Sequence, residues 1–108
     1  MATHITLSTT EQIAGREISA TLGMVKGNTI RARHIGSDIM SGLKSIVGGE
    51  IKGYVKALAD ARVEAEGRML ADAEALGADA IVSVRYATSQ IMNGAAEILV
   101  YGTAVKLR

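Results

Sequence analysis

The run "EILVYGTAVKL", Glu97 to Leu107, constrains the fold more than any other segment. Read as a strand, it puts Ile98 and Val100 on one side and Leu99, Tyr101 and Val105 on the other. A strand that is apolar on both sides needs cover on both. Helices of the same chain can cover one side. In 108 residues nothing obvious remains for the second. The expectation is that another copy of the chain covers it, with Leu99, Tyr101 and Val105 as interface residues.

The segments before this strand supply the helices and the rest of the sheet. "THITLST" alternates and reads as a short edge strand. In "REISATLGMVKG" Ile18, Ala20, Leu22 and Met24 share a face, and Gly27-Asn28 signals a turn. Ile35, Ile39, Leu43 and Ile46 then recur at three or four residues, which predicts a short helix. Gly48-Gly49 makes a corner, and a longer helix follows. Its apolar stripe is Ile51, Val55, Leu58, Ala61, Ala65, Met69, Ala73 and Leu76. Lys56–Asp60, Glu64–Arg68 and Arg68–Asp72 stand four apart on the polar side. Such a helix is about 39 Å long. Gly77 suits the left-handed position just past its last turn. A strand with Val82, Val84 and Tyr86 on one face comes next, and Asn93-Gly94 is the favoured pair for a two-residue hairpin. The chain therefore reads as one α+β domain over residues 1–108.

Composition limits the core. There is no Phe, Trp or Pro, so Ile, Val, Leu, Met, Ala and three tyrosines must build it. Small side chains allow close approach of elements, but each contributes little at about 25 cal/mol per Å² buried. That again favours help from partner subunits. A net charge of +1 suggests neither a polyanionic nor an acidic partner. The N-terminal "MATHITLSTT" lacks a basic-then-apolar signal pattern, and no apolar run approaches 18 residues, so a cytoplasmic, soluble protein with no membrane partner is expected.

Few chemistries fit. "GSDIMSGLKS" misses the phosphate-loop pattern: five residues separate its glycines, and Leu43 precedes Lys44-Ser45. A helix corner explains Gly48-Gly49 better. There is no cysteine, which removes disulfides, thiolate metal sites and cysteine nucleophiles together. His4 and His34 have no metal-binding spacing; with Glu50 they are the candidate ligands for a metal ion. Cyclic symmetry offers one route, because a single residue near the axis becomes a ring of ligands. No motif assembles a catalytic triad. The basic cluster "RARH" lacks both an aromatic platform and a basic excess, so nucleic acid is not expected as a partner.

The segments "AGREISATLGMVKGNTIRARHI", "GLKSIVGGEIKGYVKAL", "ALGADAIVSVRYAT" and "VYGTAVKL" resemble, in order and spacing, the YbjQ-like family. That family is commonly labelled "putative heavy-metal-binding", without an established function. The resemblance implies a dodecin-like β-α-α-β-β subunit: a small antiparallel sheet packed by one short and one long helix. It also implies assembly into a ring of identical subunits, a pentamer. The expected function is a non-enzymatic homo-oligomeric binding protein, with a divalent or heavy metal ion held at subunit interfaces or on the axis. A small-molecule carrier is the alternative, and an enzyme of unknown reaction stands behind both.

Overall fold

The computed structural model describes residues 4–31, 49–92 and 95–108. Four strands and one helix follow in the order β1 (Thr6–Leu7), β2 (Ile18–Arg31), α1 (Gly49–Ala75), β3 (Ala80–Met92) and β4 (Ala95–Leu107). The sheet order is β1-β3-β4-β2. β4 lies between β2 and β3 and is antiparallel to both, while β1 runs parallel to β3. The sheet is therefore mixed and four-stranded, not purely antiparallel. Its parallel member is the short N-terminal edge strand, and a two-residue strand leaves too little periodicity to show its direction. The short helix expected around residues 35–46 lies outside the described residues.

α1 packs on one face of the sheet. Its buried stripe is Ala61, Ala65, Met69 and Ala73, against Val25 on β2, Ile81 and Val84 on β3, and Ile98, Val100 and Ala104 on β4. Alanine at three of four contact positions lets the helix axis sit close. Under it Gly27 has no side chain to hold it off. A methyl there would overlap the Ala65 carbonyl oxygen and stand 2.5 Å from the Met69 nitrogen. The Gly27-Asn28 pair is therefore a docking point inside a long strand, not the turn that its residue types suggest. Beside it, the Thr29 hydroxyl donates to the Ala61 carbonyl at 3.0 Å. Arg68 donates to the Asn28 carbonyl at 2.7 Å. On the solvent side Lys56–Asp60 and Glu64–Arg68 pair at 3.2 and 3.6 Å.

The helix ends as its sequence predicts. Gly77 has φ 75°, its N–H donates to Glu74, and the Ala78 N–H reaches back to Ala73. These two bonds make a Schellman cap. Leu76 lies beyond the stripe and is exposed. At the hairpin, Met92 pairs with Ala95, which leaves two residues for the connection. Asn93 and Gly94 themselves lie outside the described residues.

Both long strands flanking β4 change face. The β3 register slips between Val82 and Arg85, at Ser83, whose φ is 54°. This bulge puts one extra residue into the strand. Val82 therefore packs on the side away from α1, with Ala80 and Val105, while Val84 packs under α1. The expectation that Val82, Val84 and Tyr86 share a face is thus corrected for Val82. β2 slips twice, between Ile18 and Ala20 and between Thr21 and Gly23. Ile18 joins the far cluster, Leu22 joins the helix-side core, and Met24 is 70% exposed.

The molecule measures 55 × 25 × 23 Å, with a radius of gyration of 17.0 Å. A compact domain of about 100 residues has a radius near 13 Å. A long slab of this kind has sheet left over at its sides and on one face.

Candidate functional site

The face of the sheet away from α1 has two halves. At one end, residues 8–17 fold over it. Ala80, Val82 and Val105 are buried there, with Ile13, Ile18 and Leu107 packed against them. Backbone bonds hold this cover in place: Ser83 donates to Thr10 at 2.8 Å, Val84 to Ser8 at 3.0 Å and Arg108 to Glu17 at 2.7 Å. Asp79 anchors the same end. Its carboxylate accepts from the Leu107 N–H at 2.8 Å and lies 3.7 Å from the Lys106 ammonium. That backbone bond, aided by the charges of Lys106 and Arg16 against some desolvation, holds the carboxyl below its usual 3.8. Val105 is therefore covered by its own chain.

The other half is open among the described residues. On β4 the buried Ile98, Val100, Gly102 and Ala104 face α1, so Glu97, Leu99, Tyr101 and Thr103 alternate to the far side. Strand pairing sets their neighbours in rows. Lys26, Tyr101 and Arg85 form one row; Asn28, Leu99 and Ala87 the next; Ile30, Glu97 and Ser89 the third. Tyr101 is 37% exposed and Ile30 55%. Lys26 and Arg85 thus flank a tyrosine ring, and Arg85 is steadied by bonds to the Thr9 and Val84 carbonyls, both 2.9 Å. Between the second and third rows, the Asn28 side-chain amide donates to Glu97 at 3.0 Å. The patch has Leu99 and Ala87 at its centre, two cations in the row on one side and a carboxylate in the row on the other. Such a surface can take a partner surface, or present one charge of each sign per copy to a shared cavity.

The helix side of β3 has one notable group. Tyr86 donates its hydroxyl to Glu66 at 2.6 Å. That bond to a carboxylate, with some burial, pushes the phenol up to about 12.

The metal candidates do not converge. His4 is exposed just before β1. His34 lies outside the described residues, and Glu50 falls in the first turn of α1, where only the backbone is described. Among the described residues no three His, Asp or Glu side chains come together to hold an ion. No helix among them is long and apolar enough to cross a membrane. Leu99 and Tyr101 do lie together on the open half. Sequence reasoning missed their polar neighbours Lys26, Asn28, Arg85 and Glu97, because only the strand register brings these together.

Comparison with known proteins matches this chain to named relatives. A protein of Archaeoglobus fulgidus named UPF0145 protein is 57% identical over 108 residues, covering all of both chains. One of the same name from Methanosarcina acetivorans is 60% identical over 101 residues, 94% of this chain and 95% of its own. Among solved structures, a protein of unknown function from Pediococcus pentosaceus, of the DUF74 family, superposes with a TM-score of 0.66. It is 18% identical and covers 98% of this chain and 100% of its own, a likeness of fold alone. The names carry no activity. The YbjQ_1 family model, described as "Putative heavy-metal-binding", matches residues 5–108, and the chain belongs to that family.

Proposed function

We propose that this protein acts without catalysis, as a homo-oligomeric ring whose ligand site is built between copies. The observation that carries the reading is the open half of the sheet, where Leu99, Tyr101, Met24 and Ile30 leave apolar surface beside fixed charges. The family resemblance supports a ring of five, and the family description supports a metal ion as ligand.

If metal is the ligand, its donors come from more than one copy or include residues beyond those described. Glu97 suits such a role. It is held by Asn28 on the open face, and ring symmetry repeats it once per subunit. Oxygen donors of this kind favour hard divalent ions over soft heavy metals. A small organic molecule is the second reading, favoured by the Leu99–Tyr101 surface, since such sites are mostly apolar with a few fixed polar groups.

Light scattering with elemental analysis tests both parts. A mass of several 11.3 kDa units supports the assembly. At least one divalent ion per ring, lost in Glu97→Gln, supports the metal. A metal-free assembly that carries an organic ligand in native mass spectra supports the second reading. An 11.3 kDa particle at micromolar concentration overturns the shared site.

A further inference from the structure

The donors in one row of the open half have no acceptor. Lys26 and Arg85 stand on either side of Tyr101, and all three are exposed. Among the described residues the Lys26 ammonium and the Tyr101 hydroxyl make no hydrogen bond or ion pair. Arg85 is anchored on one side only. Its Nη1 donates to the Thr9 and Val84 carbonyls, both at 2.9 Å. Those bonds use both Nη1 hydrogens and fix the guanidinium plane. No described group accepts from Nε or Nη2. These two nitrogens form the edge that takes a carboxylate or phosphate through two parallel bonds.

The backbone is shaped for this placement. The β3 register slips between Val82 and Arg85, and Ser83 there holds φ 54°, a region costly for a residue with a Cβ. Bulges re-aim side chains, and strained backbone gathers at functional sites. The side chain re-aimed here is Arg85, set beside Tyr101. Strands about 4.8 Å apart put the Lys26 and Arg85 backbones about 10 Å from each other across β4. Like charges so placed repel, more strongly as water is excluded above them. A negative group between the two side-chain tips relieves that repulsion, with the Tyr101 hydroxyl as a further donor. In the next row Leu99 and Ala87 continue the surface without charge.

We infer that the Lys26–Tyr101–Arg85 row binds the oxyanion head of a small organic molecule, a carboxylate or a phosphate monoester, whose apolar body lies over Leu99 and Ala87. This names the ligand class of the small-molecule reading above and rests on it for an open site, but all the donors come from one copy. Glu97 in the third row would repel a second anionic group. The ligand therefore carries its charge at one end.

Isothermal titration at low salt tests this, with inorganic phosphate, phenyl phosphate and benzoate as probes and light scattering on the same samples. The tighter of phenyl phosphate and benzoate names the head group. It should bind about tenfold or more tighter than inorganic phosphate, because its ring adds apolar burial. Lys26→Gln should weaken that binding about tenfold. Arg85→Lys keeps the charge but loses the fork, and should weaken it by about tenfold or more. Lys26 has no partner to lose, so its variant keeps the test open if Arg85→Lys, cut from Thr9 and Val84, fails to fold. Lys56→Gln, on the exposed side of α1, should change nothing. The inference is overturned by the absence of saturable binding for every probe, by unchanged binding in Lys26→Gln, or by inorganic phosphate binding as tightly as the organic probes. Binding that appears only in Glu97→Gln also overturns it, since a carboxylate of the protein then occupies the cations. An oligomer that binds no probe removes the row and leaves the assembly standing. An 11.3 kDa particle that binds phenyl phosphate does the reverse.

Discussion

Replacing Gly27 with alanine tests the closest contact in the fold. The added methyl would meet the Ala65 carbonyl, the Met69 nitrogen at 2.5 Å and the Arg68 Cβ at 3.0 Å. Two of these are helix backbone, which cannot rotate away, so α1 must lift by about 1 Å. A radial gap of about 0.5–1 Å already forfeits a quarter to a half of the dispersion well. The stripe that lifts includes fully buried Ala61, Ala65, Met69 and Ala73, and burying a Met side chain is worth about 1.5–3 kcal/mol. Losing part of that contact, with the Thr29 and Arg68 hydrogen bonds strained, comes to about 3 kcal/mol, at the upper end for overpacking. Thermal unfolding at fixed protomer concentration should show a midpoint about 10–20 °C lower. Gly67→Ala is the control. It lies on the same helix with open space around it, and should gain about 0.5–1 kcal/mol. A Gly27→Ala midpoint within about 2 °C of wild type would refute the close packing of helix on strand.

Four further outcomes follow from the same geometry. Tyr101→Lys puts three cations in one row with Lys26 and Arg85; it should shift light-scattering mass toward the monomer, whereas an unchanged assembly removes Tyr101 from the interface. Asp79→Asn should flatten the acid limb of stability: a carboxyl with a lowered folded-state value stabilises above 3.8 and loses that contribution as pH falls through the lowered value, so identical acid denaturation curves would show that the Asp79 bond to Leu107 stabilises nothing. Absorbance at 295 nm should show one tyrosine titrating near 12, and Glu66→Gln should bring it toward 10; since the folded-state value is raised, its contribution to stability is present below 10 and lost through about 12. Ser83→Gly relieves a left-handed residue and should add up to about 1 kcal/mol in urea unfolding, while Ser83→Val should lose stability.

How much of this was legible in the sequence depends on the range of the interaction. The Gly77 cap, the helix stripe through Ala61, Ala65, Met69 and Ala73, and the two-sided β4 all follow from local period and residue type. Gly27 was misread because glycine beside asparagine has the same signature in a turn and under a helix; only the distant Ala65 distinguishes them. The faces of β2 and β3 were lost at the bulges, which no propensity marks when the inserted residue is a serine. Val105 reads in sequence as an interface residue because residues 8–17 look like a loop, yet they cover it. On the open half, Leu99 and Tyr101 were legible as apolar. Their charged neighbours were not, because Lys26 and Arg85 lie 59 positions apart in the chain and meet only through β4.

The slip at Ser83 makes β3 a strand written in two phases. Before it, Ile81 points to the helix and Val82 away; after it, Val84 takes the helix side and Arg85 the far one. One inserted residue thus lets a single ribbon serve two separate interiors. Lengths here are less negotiable than letters. Many side chains could stand at position 83 at modest penalty, but deleting that position would turn Val84 outward and drive the guanidinium of Arg85 beneath α1.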